Sequence, residues 1–165
     1  MTAARRPRKR YLLVPVALLA VAFVGAHQPM PLAATTERVV TDHHTGLAIY
    51  GIDPVAYFTT RKPVEGRPEF EFRHSGAAWR FENAGNRDAF SADPDVYMPR
   101  YGGYDPVGIG RGRATPGYPL LWAIFEDRLY LFYTAEARAA FIANPTVVIA
   151  SASARWSAVR SELAE

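Results

Sequence analysis

There is no cysteine among these 165 residues. Disulfides, iron–sulfur clusters, thiol nucleophiles and thiolate metal sites are therefore closed to the chain. Imidazole is scarce as well: His27, His43, His44 and His74 are the four histidines. No His-Glu-x-x-His helix occurs, and no Ser/His/Asp arrangement carries a nucleophile motif, so a non-catalytic domain is expected. Acidic residues are missing from the first ten positions, which hold five of the 19 basic residues (Arg5, Arg6, Arg8, Lys9 and Arg10). The longest apolar stretch, residues 11–26, is uncharged but falls short of the roughly 20 residues that span a bilayer.

What is present at that end is the pattern of an export signal: a basic segment, a short apolar run and small residues at Val24-Gly25-Ala26. Cleavage is expected after Ala26, with an uncleaved N-terminal anchor in the inner membrane as the alternative, and the membrane touched only through that segment. Either outcome places the remainder in the periplasm or another extracytoplasmic space. Past residue 26 the count is 14 basic against 16 acidic residues, a net of −2. The pI of about 9.3 thus belongs to the leader, and nucleic acid is not an expected partner. With 49% hydrophobic and 13% aromatic residues, the rest can bury a core as one domain.

Residues 27–45 lack periodicity and read as a flexible tether, which leaves 46–165 as the folded domain. Asp53-Pro54 looks like a helix start. Phe70, Phe72 and His74 alternate with charged residues, Ser75-Gly76 makes a turn, and Trp79 and Phe81 alternate on the return, which predicts a hairpin. Asn83 caps a helix to about Ala92, and Asp93-Pro94 begins another turn. Residues 98–119, with six glycines and four prolines, read as a long functional or mobile loop. A second hairpin is expected on either side of Glu126-Asp127-Arg128. A helix capped by Thr134 follows, then a last helix from Pro145 with Val148, Ala152, Trp156, Val159 and Leu163 on one face. Trp79, Trp122 and Trp156 are all expected to be largely buried. Gly51-Ile52-Asp53-Pro54-Val55 and Gly103-Tyr104-Asp105-Pro106-Val107 echo each other, which two similar helix starts explain without a long internal repeat. The fold class is α+β: a small single domain of antiparallel hairpins with flanking helices and a C-terminal helix.

Read in order, several segments resemble the exported YHS-domain proteins. They are Gly51-Ile52-Asp53-Pro54-Val55-Ala56-Tyr57-Phe58, His74-Ser75-Gly76 with Trp79 and Phe81, and Asn86-Arg87-Asp88-Ala89-Phe90. Asp93-Pro94, Tyr97, Pro99, Tyr101-Gly102-Gly103-Tyr104, Trp122, Leu129-Tyr130-Leu131 and Trp156 complete the set. The resemblance implies a YHS, treble-clef-like fold and a role in binding transition metals, copper especially. It also implies thiolate ligands at three places where this chain has Ala56, Glu82 and Asp105.

The candidate metal ligands are accordingly His74, Glu82 and Asp105, a nitrogen and oxygen set suited to divalent copper or zinc. His27, as a mature N-terminus, is a further copper chelator, whereas His43-His44 read as solvated loop histidines. A second candidate site draws on Tyr101, Tyr104, Arg111 and Arg113, where the Gly-Ile-Gly-Arg-Gly-Arg run would capture a small organic or anionic ligand. An exposed aromatic patch at Tyr101, Tyr104 and Tyr118 would instead mark a surface for an envelope protein. The expected role is an extracytoplasmic binding or accessory domain, metal-related by resemblance, with a small-ligand binder or a structural partner as alternatives.

Overall fold

Asp53-Pro54 and Asp105-Pro106 both start short helices, and the chain after each start follows the same course. A computed structural model describes residues 38–163; the leader, its cleavage site, the anchor alternative and His27 lie outside the described residues. The first pass opens with three consecutive positive φ angles, at Ile49, Tyr50 and Gly51. It continues through α1 (Ala56–Thr59), β1 (Arg67–His74), β2 (Ala77–Phe81), α2 (Ala84–Ala92) and α3 (Pro94–Tyr97). The second pass opens with positive φ at Tyr101, Gly102 and Gly103. It continues through α4 (Pro106–Gly110), β3 (Tyr118–Phe125), β4 (Arg128–Phe132), α5 (Ala135–Ala143) and α6 (Pro145–Ser161).

The likeness extends to individual bonds. Asp53 N–H donates to Val64 O and Asp105 N–H to Thr115 O, while Gly66 N–H donates to Gly51 O and Gly117 N–H to Gly103 O. Both hairpins turn through two residues of positive φ, Ser75-Gly76 and Glu126-Asp127, the geometry that follows strand twist. Each antiparallel ladder slips at the same point: Arg67↔Phe81 gives way to Glu71↔Arg80, and Tyr118↔Phe132 to Trp122↔Leu131. The glycine entering each hairpin is required by close approach, since a Cβ on Gly66 would strike the Arg80 backbone and one on Gly117 would strike Leu131. Asn83 Oδ1 accepts from Asn86 N–H, and Thr134 Oγ1 from Ala137 N–H, as N-caps of α2 and α5. The echo at the two Asp-Pro pairs is therefore the visible part of a structural repeat, contrary to the expectation of two independent helix starts.

The domain is α+β, two antiparallel two-stranded hairpins with helices around them and a long C-terminal helix. Two apolar clusters meet at β4. Leu129 and Leu131 join the first, with Trp79, Phe81, Tyr57 and Phe90. Tyr130 and Phe132 join the second, with Tyr101, Ile109, Phe141 and Ala152. Side chains alternate sides along a strand, so a strand buried on both faces must be continuously apolar, as residues 129–132 are. Each cluster centres on the phenylalanine of its capped helix: Phe90 packs on Trp79 and Phe81 at 5.0 and 5.1 Å, and Phe141 on Tyr130 and Phe132 at 4.7 and 5.1 Å.

Three expectations change. Residues 39–41 are not tether: Val39, Val40 and Thr41 are buried, and Val40 N–H donates to Gly102 O at 2.8 Å. The stretch 98–119 is not one long loop, because α4 lies within it, started by Asp105. Of the tryptophans, Trp79 is fully buried, whereas Trp122 and Trp156 are only half-buried against the clusters. No helix among the described residues is long and apolar enough to cross a membrane.

Candidate functional site

Two buried carboxylates set the backbone from which the site is built. Asp53 is fully buried. One of its oxygens accepts from Val55 N–H at 2.8 Å and Ala56 N–H at 3.2 Å. The other accepts from Glu82 N–H at 2.8 Å and the Asn86 amide at 2.6 Å. Asp105 works the same way, accepting from Val107 N–H at 2.8 Å and, on its second oxygen, from Tyr133 N–H at 3.1 Å. Each aspartate thus ties a helix start to the far end of the following hairpin, and its lone pairs are engaged in doing so.

Just before Asp105, the positive-φ turn at Tyr101 and Gly102 brings the Tyr101 ring under α6. The phenol lies 2.9 Å from Ser153 Oγ and donates to Ile149 O at 3.3 Å, and its ring meets Trp156 edge-on at 5.5 Å. Between these rings and the Ser75-Gly76 turn opens a pocket of about 530 Å³, within the size range of small-molecule sites. Val39, Ala77 and Met98 supply its apolar side, and Arg38, Arg100 and Arg160 stand at its rim. A second hollow, of about 420 Å³, continues past Trp156 between the same Arg38 and Arg160 and the hydroxyls of Ser153, Ser157 and Ser161. Among the described residues neither hollow has an acidic side chain in its lining. Among the described residues Arg100 and Arg160 have no carboxylate partner. The guanidinium groups of Arg100 and Arg160 beside this cleft make a local positive field on a near-neutral domain.

The expected metal set does not assemble. His74 lies at the closed end of the first hairpin, paired with Ala77 and edge-on to Phe90 at 6.0 Å. Glu82 follows β2 at the open end, roughly 16 Å away along the strand. Asp105 belongs to the second repeat and is occupied as an N-cap. Among the described residues no group of three or more His, Asp and Glu is placed to hold a metal ion. His43 and His44 are exposed in a turn.

The expected ligand set is divided too. Tyr101 is buried and lines the pocket, and Tyr104 is buried in the second cluster. Arg111 and Arg113 are exposed at the end of α4 and line neither hollow. The aromatic patch keeps only Tyr118, which stacks on the exposed Tyr133 at 5.5 Å. Sequence reasoning did not single out Arg38, Arg100 and Arg160. They come from three distant segments, and the one local signal is the i, i+4 pairing of Trp156 with Arg160 on α6.

Comparison with protein-family models, with curated proteins and with solved structures found no match. The site must be read from its own geometry.

Proposed function

We infer that this is a non-catalytic, extracytoplasmic binding domain that captures a small organic anion in the cleft between Arg38, Arg100, Arg160 and Trp156. The observation that carries the reading is a pocket of ligand size whose described lining has arginines and no acidic side chain. Guanidinium groups remain charged at any physiological pH and present a planar fork of donors that matches carboxylate and other oxyanions. The extracytoplasmic placement rests on the basic and apolar leader and on the resemblance to exported YHS proteins. The metal role implied by that resemblance receives no support from the ligand geometry.

The test is calorimetric titration of the mature domain with citrate and with hexanoate at low ionic strength, where the screening length is about 30 Å. Wild type should bind at least one of them in the millimolar range or tighter. Exposed ion pairs contribute about 0.2–1 kcal/mol each, so Arg100→Gln/Arg160→Gln should weaken that binding by roughly tenfold. No binding of either anion, or equal binding by wild type and the double variant, refutes the reading.

A further inference from the structure

The two hollows differ in chemistry although they share Arg38, Trp156 and Arg160. The outer one is lined by serine hydroxyls. The inner one has a floor of Val39 and Ala77, both buried members of the first core cluster, and a wall of Met98, which packs on that cluster. Met98 is unbranched and polarizable, so it adapts to apolar guests of varied shape. The Trp156 indole forms the opposite wall. Its N–H makes no hydrogen bond among the described residues.

Charge alone gives this cleft little grip. Arg38, Arg100 and Arg160 are all exposed, and pairs formed in high dielectric are weak and screened by salt. Among the described residues no backbone cradle of the kind that binds phosphate surrounds them, because the nearest long helix presents its side rather than its N-terminus. Apolar burial is the stronger source of affinity: each CH₂ removed from water is equivalent to about a fourfold gain in binding. A ligand that uses the whole inner hollow must therefore carry an apolar body as well as an anionic head.

We propose that the ligand is an amphipathic monocarboxylate, whose aliphatic or aryl-alkyl body lies between Val39, Ala77, Met98 and Trp156 and whose head meets the rim arginines. This rests on the anion-binding reading and specifies its ligand class. The remainder of the ligand, where it has one, runs past Trp156 into the serine-lined hollow, which suits a hydroxylated extension.

The experiment is a chain-length series, acetate, butyrate, hexanoate and octanoate, titrated into the wild-type domain and followed by calorimetry and tryptophan fluorescence. Hexanol serves as the neutral control. Affinity should rise two- to fourfold per CH₂, and hexanol should bind at least tenfold more weakly than hexanoate. Arg100→Gln/Arg160→Gln should lower the whole series by one constant factor and leave its slope unchanged. Met98→Ser should flatten the slope, provided that its thermal melt shows the fold intact; the wild-type slope needs no variant and decides the matter alone. A flat wild-type series, or hexanol binding as well as hexanoate, overturns the proposal. Arginine-dependent citrate binding beside a flat series would overturn the ligand class and leave the anion-binding reading standing.

Discussion

Removing the Asp53 carboxylate should be the most damaging single truncation at either Asp-Pro start, and the repeat supplies its own control. Asp53→Ala strips four donors of their acceptor at a position with no solvent access. Losing the cap on Val55 N–H and Ala56 N–H costs about 1 kcal/mol. Leaving the part-buried Glu82 N–H and Asn86 amide without a partner adds about 1–2 kcal/mol each, for a total of about 4 kcal/mol. Asp105→Ala orphans only Val107 N–H and Tyr133 N–H, so about 2–3 kcal/mol is expected. Where the first repeat has Asn86, the second has Ala137, whose side chain offers Asp105 nothing. Ala137→Asn should therefore gain about 0.5–1 kcal/mol, and only while Asp105 is present. Urea denaturation read by far-UV circular dichroism gives each value from the shift in midpoint at constant slope, and the Asp105/Ala137 double-mutant cycle isolates the new bond. Equal costs for the two aspartates would refute the argument from orphaned donors. A gain from Ala137→Asn that survives in Asp105→Ala would refute the equivalence of the two sites.

Two other outcomes follow from burial. Trp79→Ala should cost about 3–5 kcal/mol, because its ring is fully buried against Phe90 and its N–H donates to His74 O at 3.1 Å. Trp156→Ala, on the half-buried wall of the cleft, should cost about 1–2 kcal/mol and abolish the fluorescence response to hexanoate; comparable losses of stability would contradict this ranking. Burial, and secondarily the nearby Asp53 charge, pushes the Tyr57 phenol well above the usual tyrosine range, and its hydroxyl donates to Pro119 O at 2.9 Å. The folded state thus favours the protonated phenol. That contribution is whole below pH 10 and is lost as the pH rises beyond the ordinary tyrosine value. Absorbance at 295 nm should show Tyr57 ionising only together with alkaline unfolding, whereas an early, reversible titration of all nine tyrosines would contradict it.

Local devices were legible in the sequence, and non-local ones were not. Asn83 and Thr134 declared their helices because a cap is a contact three residues away, and Ser75-Gly76 declared its turn because Gly tolerates positive φ. The repeat escaped because its two passes share hydrogen bonds and volume rather than letters. Tyr57 stands where Ile109 does, Trp79 where Tyr130 does, Asn83 where Thr134 does, and Asp93 where Asn144 does. Apolar or capping character is all that these places demand. Glu126-Asp127 adopts positive φ without glycine, so composition at that turn gave no hint that it matches Ser75-Gly76. Val39-Val40 looked like tether because two residues have no period; their burial follows from a bond to Gly102, far along the chain. The metal trio failed for a related reason. Correspondence to a ligand's place in a motif says nothing about a carboxylate already engaged by backbone N–H groups, as that of Asp105 is.

The cleft lies where the repeat departs from itself. Each pass ends with a helix opened by proline after an aspartate or asparagine, but α3 stops after four residues and α6 runs for 17. The short version releases the chain at Met98, so that Arg100 and Tyr101 turn back toward α6. The long version continues past Ala152, buried in the second cluster, and holds Trp156 and Arg160 facing that turn. Equal helices at the two places would leave either no chain to form one wall or no helix to form the other. The paired parts, with their aspartate ties and phenylalanine-centred clusters, supply a rigid frame. The unpaired length of α6 carries Arg160 and the indole, and Arg100 stands at the entry to the second pass's positive-φ turn; groups on such a frame keep their geometry without needing order of their own.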